Sequence, residues 1–449
     1  MLDLRQYQIS GSTAREIAAS AEAAIREGGL DAGALLPTVR ALAGSLGTSP
    51  ATVNSAYRIL RQRGLVVAEG RRGTRVAARP ALRTLERAAP RPRAGVERWR
   101  DLTIGLPDPA LLPSLSPALA RVDVEARLRF PILDGPDAEL LARARAWFER
   151  DRVPAGAIAI VAGALDGIER VLQAHLRPGD RVVIEDPAYP SIRDIVRALG
   201  LVAVPVAVDE SGLVPDALRA AIKPGAEAIV VVPRAQNPLG AALDPERVAV
   251  LCSVLDTSPG TLVVEDDHAG AVSGAPFATL IDPKRPRWAV IRSVSKVLHP
   301  DLRLAVIAGD EATIARVEGR QALGPRWVSH LLQALAAELL GDPGFGPLST
   351  RAAHAYAERR RALITALAER GVAAHGRSGL NVWVPVREEA PAVRSLLDAG
   401  WLVCAGESFR IKTGPGIRIT ISTLRHGDAD ELARVIAGVE HAGRSRRAY

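Results

Sequence analysis

A chain of 449 residues, 48% hydrophobic and 24% charged, has the composition of a folded globular protein with room for about two or three domains. Its two cysteines, Cys252 and Cys404, lack metal-ligand spacing and sit in apolar contexts, which excludes a disulfide framework or a cysteine metal site and points to buried free thiols in a reducing compartment. The net charge of +8 is carried entirely by residues 1–95, which hold fifteen arginines, no lysine and seven acidic residues, so a polyanion-binding module on a neutral body is one reading and a merely soluble arginine-rich domain the other.

The start, MLDLRQYQIS, lacks the charged-then-apolar layout of a signal peptide, and no apolar run approaches membrane-spanning length, so a cytoplasmic location without a membrane partner is expected. The first predicted helix covers about 14–26. Downstream, Val39, Leu42, Ala43 and Leu46 repeat at helical spacing until Gly47 interrupts them. Ser49 then suits an N-cap and Pro50 the first position of a further helix. That helix buries Val53, Ala56, Tyr57 and Leu60, shows Thr52, Asn54, Ser55, Arg58 and Arg61, and stops near Gly64. Two short strands, 65–69 and 74–78, follow around a GRRG turn.

Three helices with a tight turn and a basic hairpin describe either a winged helix-turn-helix or a helical protein-interaction module. In the first case the second helix of the pair enters the major groove of double-stranded operator DNA. Arg40, Ser49, Thr52, Asn54, Ser55 and Arg58 then lie near bases or phosphates, and Arg71 and Arg72 at the wing tip reach the backbone or minor groove. LPTVRALA, TVNSAYRIL and GRRGTRVA closely resemble the DNA-binding domain of the GntR family. Residues 1–79 are assigned to this domain, and the proline- and arginine-rich stretch 80–97 reads as a linker.

From about residue 98, apolar runs alternate with helical patterns. The runs are RVVIE (181–185), AIVVV (228–232), TLVVE (261–265), WAVIR (288–292) and LRLAVIA (302–308). This alternation predicts a mostly parallel sheet covered by helices, with ligands outside the carboxyl ends of the strands. Four successive strand ends deliver Tyr189, then Asn237, then Asp266 and His268, then Ser293, Ser295 and Lys296. Lys296 is one of only four lysines, with Lys223, Lys284 and Lys412, in a chain that otherwise uses arginine. A surface position tolerates either residue. A lysine amine, unlike a guanidinium, also forms a Schiff base with an aldehyde. Pyridoxal phosphate would use the whole set: an amine for its aldehyde, a carboxylate for its ring nitrogen, hydroxyls and a cation for its phosphate, and an aromatic face to stack on.

Residues 100–440 resemble the fold-type I aminotransferases. The resemblance implies Lys296 as the Schiff-base lysine, Asp266 against the ring nitrogen, Asn237 on the ring hydroxyl and Tyr189 on the ring face. It implies Ser293, Ser295 and Arg303 on the phosphate, with the Ala162-Gly163-Ala164 turn, and Arg418 on an amino-acid carboxylate. His268 stands where related regulators commonly carry a tyrosine, so its charge is expected to vary near neutral pH. Arg234 is a second candidate anion contact or a surface ion-pair partner. No metal is expected.

Winged helix, linker and aminotransferase-like body together resemble the MocR/GabR-type regulators. The expected architecture is a mainly α winged helix-turn-helix followed by an α/β, pyridoxal phosphate-dependent domain over 98–443. Within it a large part covers about 120–325 and a smaller C-terminal α+β part about 326–443. The resemblance implies a bacterial transcription factor acting as a homodimer, with domains swapped between chains. Three functions fit: a regulator sensing an amino acid or amine through Lys296, a working aminotransferase with a DNA-binding extension, and a regulator of vitamin B6 metabolism for which pyridoxal phosphate is itself the signal.

Overall fold

The computed structural model describes residues 9–26, 29–31, 33–62, 65–68, 73–76, 99–127, 135–425 and 427–445. The expected wing-tip contacts Arg71 and Arg72, and the linker 80–97, lie outside the described residues. The chain separates into two compact units.

The N-terminal unit holds α1 (Ala14–Arg26), α2 (Val39–Leu46) and α3 (Pro50–Gln62), then an antiparallel hairpin of β1 (Val66–Ala68) and β2 (Thr74–Val76). The Thr38 side chain caps α2 by accepting from the Ala41 amide at 3.2 Å, and Gly47 ends it at φ 62°. Ser49 Oγ accepts the Thr52 amide at 3.1 Å at the start of α3, the N-cap role its sequence position implies. Ile17, Leu42, Val53, Ala56, Tyr57 and Leu60 pack into one buried core. The Tyr57 hydroxyl, otherwise an unsatisfied polar group in that core, donates to the Pro37 carbonyl at 2.7 Å.

The second unit is built on an eight-stranded sheet. Its strands are β4 (Ala157–Val161), β5 (Arg181–Asp186), β6 (Val202–Asp209), β7 (Gly212–Leu213), β8 (Ala228–Val231), β9 (Leu262–Asp267), β10 (Trp288–Ser293) and β11 (Ala305–Gly309), in the order β4-β11-β10-β9-β8-β5-β6-β7. β5, β8, β9 and β10 run parallel, as the sequence predicts, and are buried on both faces. β11 departs from that pattern: it is antiparallel to both β10 and β4. Residues 294–304, which include a 3-10 turn at Pro300–Leu302, join β10 to β11 without a helix long enough to cross over the sheet, so the chain returns antiparallel.

A smaller sheet orders β12 (Asn381–Pro385), β15 (Gly416–Thr420) and β14 (Cys404–Ala405). β13 (Trp401–Leu402) pairs in parallel with β3 (Arg100–Asp101), which ties the beginning of the second unit to its C-terminal part. Among the described residues, no helix is long and apolar enough to cross a membrane.

Candidate functional site

Strand register brings the candidate residues together. Val161 pairs with Ala305 and Ala305 with Ser293, while Ile291 pairs with Asp266 and Val231 with Glu265. One edge of the sheet therefore carries Gly163 and Ala164 after β4, Arg303 before β11, Ser293, Ser295 and Lys296 at and after β10, and Asp266 and His268 at the end of β9. The loops after β8 and β5 add Asn237 and Tyr189.

At the Gly163 end, hydrogen-bond donors converge. Gly163 adopts φ 104° and immediately precedes the helix Ala164–His175. A Cβ at this position would stand 3.2 Å from Arg303 Nη2, so the guanidinium lies directly over the helix start. Ser293 Oγ donates to Ser295 Oγ at 2.9 Å and accepts the Ser295 amide at 3.2 Å. A helix N-terminus, a guanidinium and two hydroxyls are the kinds of donor that a phosphate group uses.

Asp266 occupies the centre. It is buried, and among the described residues its Oδ1 has no hydrogen-bond partner. Burial, and then the neighbouring charge of Asp267, push its carboxyl up to about 7 against the opposing pull of Lys296. Asp267 behaves in the opposite way. Burial opposes its charge too, but Arg234 forks onto both its oxygens at 2.8 Å and Arg292 Nε adds a contact at 3.0 Å, leaving it below its ordinary value. Arg234 is thus neither an anion contact nor a surface ion pair: it is 5% exposed and committed to Asp267.

Lys296 donates from Nζ to the Gly105 carbonyl. Burial first, then the positive Arg418 and Arg303, lower its amine to about 8. His268 Nδ1 stands 4.0 Å from Asp266 Oδ2. Burial and the charge of Lys296 push its imidazole down to about 4, so it is neutral at neutral pH and not poised to change charge there as its sequence position suggests.

Arg418, on β15 and 3% exposed, donates to Asn237 Oδ1 at 3.3 Å, to Cys404 Sγ at 3.3 Å and to the Thr103 carbonyl, and lies over the Phe409 ring. Tyr189 is 40% exposed, available to a stacking partner. Its loop is pinned from the C-terminal side. The Ala188 amide donates to the Phe409 carbonyl at 2.9 Å, and Asp186 accepts from the amides of Ile411, Lys412 and Thr413 at 2.7–3.0 Å. Sequence reasoning missed this clamp, and it also missed the segment 103–105. Asp186 lies in the same DPAYP stretch as Tyr189, but nothing in it names the distant amides it binds. Thr103 and Gly105 act through carbonyls, which every residue has.

On α3, Asn54 and Arg58 are exposed while Thr52 and Ser55 are half-buried, and Arg40 on α2 and Ser49 are exposed. Ser49 Oγ also lies 2.8 Å from Thr52 Oγ1, so both hydroxyls share the cap of α3. Among the described residues no cluster of three or more His, Cys, Asp or Glu is placed to hold a metal ion.

Residues 99–436 match the family "Aminotransferase class I and II", and residues 13–76 match "Bacterial regulatory proteins, gntR family". The vitamin B6 salvage pathway transcriptional repressor PtsJ of Salmonella typhimurium is 41% identical over 431 residues, covering 95% of this chain and 98% of that one. The HTH-type transcriptional regulator TauR of Rhodobacter capsulatus is 28% identical over 77% of this chain and 78% of its own. Among solved structures, the Pyrococcus horikoshii kynurenine aminotransferase superposes with a TM-score of 0.70 at 20% identity, over 77% of this chain and 91% of that one. The α-aminoadipate aminotransferase LysN of Thermus thermophilus, complexed with N-(5'-phosphopyridoxyl)-L-leucine, gives 0.69 at 23% identity, over 78% and 94%. At that identity the likeness is one of fold.

Proposed function

Since the chain belongs to the aminotransferase class I and II family and carries a gntR-family DNA-binding domain, the architecture of the MocR-type regulators, we propose that this pyridoxal phosphate-dependent transcription regulator senses an amino acid or amine at Lys296. The observation that carries the reading is the buried, unpartnered Oδ1 of Asp266, at the same sheet edge as Lys296. A buried acceptor without a partner is costly unless a ligand donor satisfies it, and a protonated pyridine nitrogen is such a donor. The donors that converge at Gly163 support the same group.

Lys296 would hold the cofactor, Asp266 its ring nitrogen, Asn237 and His268 its ring hydroxyl, and Tyr189 its face. Ser293, Ser295, Arg303, Gly163 and Ala164 would hold its phosphate, and Arg418 the carboxylate of the effector. When bound, pyridoxal phosphate supplies an aldehyde that captures amines and a ring that withdraws electrons. An amine near 8 leaves Lys296 partly unprotonated at neutral pH, the form that acts as a nucleophile. A neutral His268 can donate a hydrogen bond without adding charge. On the DNA side, Arg40, Asn54 and Arg58 present an exposed polar face for an operator, with Ser49, Thr52 and Ser55 beside it. The regulator acts in the bacterial cytoplasm as a homodimer, since paired operator half-sites suit a two-fold protein, and its domains can be exchanged between chains.

Full-length protein mixed with pyridoxal phosphate is expected to turn yellow, and borohydride reduction with peptide mapping should place the adduct on Lys296. An adduct on Lys223, Lys284 or Lys412, or none at all, would overturn the site. A second reading, in which pyridoxal phosphate is itself the signal, is favoured by the likeness to a vitamin B6 salvage repressor and by the internal partners that Arg418 already has. Operator affinity that changes with pyridoxal phosphate alone, and no further with amino acids, would establish it.

A further inference from the structure

Tyr189 is bracketed by two oppositely charged residues, Asp186 three positions before it and Arg193 four positions after it. Both reach the same segment of the C-terminal part. Residues 409–415 lie between the 3-10 turn Gly406–Ser408 and β15, outside any helix or strand, so their main-chain groups need partners from elsewhere. The bracket supplies them. The Asp186 carboxylate accepts from the amides of Ile411, Lys412 and Thr413, while Arg193 donates to the carbonyls of Ser408 at 3.2 Å and Arg410 at 3.4 Å. The Thr413 hydroxyl donates back to the Asp186 carbonyl at 2.8 Å, and the Ala188 amide donates to the Phe409 carbonyl at 2.9 Å. An anion thus faces amides and a cation faces carbonyls, the charge-assisted arrangement in each case. The Tyr189 ring is 40% exposed, so its own packing does little to orient it, and the main chain held on either side must do so.

We propose that Asp186 and Arg193 are positioning residues: by gripping residues 408–413 from both sides of Tyr189, they fix the angle at which that ring is presented. Both act through Tyr189 and not by contact with the cofactor. The inference deepens the function proposed above and rests on its assignment of Tyr189 to the face of the pyridoxal phosphate ring.

Asp186→Asn and Arg193→Gln in the full-length protein test the bracket. Before pyridoxal phosphate is added, hydrogen–deuterium exchange in a peptide over 409–415 should rise by about threefold or more in each variant, while a peptide over β10 stays protected. With pyridoxal phosphate, Lys296 should still be labelled. Binding should weaken by about three- to tenfold, the worth of one ring-stacking contact, and the circular dichroism of the bound-cofactor band should fall. A merely structural role would leave that band unchanged per molecule bound. Tyr189→Ala shows whether the effect passes through the ring: in that background Asp186→Asn should weaken binding no further. Unchanged exchange in both variants, an equal rise in β10, an unaltered band, or an undiminished Asp186→Asn effect beside Tyr189→Ala would overturn the proposal. If pyridoxal phosphate labels no lysine of the wild type but both variants still loosen 409–415, the functional reading falls and the bracket stands as the device that fixes the main chain at Tyr189.

Discussion

Asp266 and Asp267 are adjacent, both buried, and yet in opposite electrostatic states. Asp267 has two guanidinium partners, whereas Asp266 has an oxygen with none. Raising a carboxyl from its ordinary 3.8 to about 7 means that the fold favours the protonated form. The stability from this group is therefore fully present below about 4 and is lost as pH rises through about 7. Without cofactor, thermal melts of wild type and Asp266→Asn should diverge across that window, the wild type losing up to about 1.4 kcal/mol per pH unit relative to the variant. Parallel pH profiles would show that Asp266 is not strained by its burial. Arg234 makes a contrasting prediction. Arg234→Ala leaves Asp267 with one of its two guanidinium partners and should cost about 3 kcal/mol or more in urea unfolding. A loss under about 1 kcal/mol is what a surface ion pair would give, and would refute the buried role.

At the level of elements, the helix Ala164–His175 and its lead-in turn matter most. Gly163 meets two demands: a φ of 104° that other residues adopt only with strain, and space for Arg303 at 3.2 Å from where a Cβ would be. Gly163→Ala should destabilise the fold by about 1–3 kcal/mol, the strain of this φ in a non-glycine residue, and, because its Cβ crowds the Arg303 guanidinium, weaken pyridoxal phosphate binding by about tenfold. An absorbance titration measures it. Wild-type affinity in the variant would move the phosphate away from this helix start. The antiparallel β11 serves the same corner, because its reversed direction places Arg303 at its beginning, beside the ends of β4 and β10.

For the molecule as a whole, the proposed effector site and the gntR-family domain belong to one chain, and any coupling between them is reciprocal. An effector shifts operator affinity only by its differential affinity for two states, usually about 1–3 kcal/mol, and the operator must shift effector affinity by the same factor. Lys296→Ala should still bind operator DNA, because the N-terminal unit has its own core, but it should lose the effector-dependent change. Operator titrations with and without effector decide it: a variant that responds as wild type does would mean that Lys296 does not transmit the signal.

Both domains were legible in the chain alone, because their motifs, hydrophobic period, caps and turn residues are local properties. The periodic Val53, Ala56, Tyr57 and Leu60 were legible as a buried face, and so were the apolar runs of the central strands. Lys296 stood out through its rarity, and Asp266 through its position after a strand. Which neighbouring charges pair became visible only in three dimensions. The tertiary structure gave Arg234 and Arg292 to Asp267, left Asp266 without a cation of its own, and made His268 neutral through burial beside Lys296. It alone brought the carbonyls of Thr103 and Gly105 onto Arg418 and Lys296, across nearly two hundred residues or more of chain. The physical reason is common to all of these: a pKa depends on what surrounds a group in space, and a main-chain carbonyl carries no mark in the sequence of the partner it will meet.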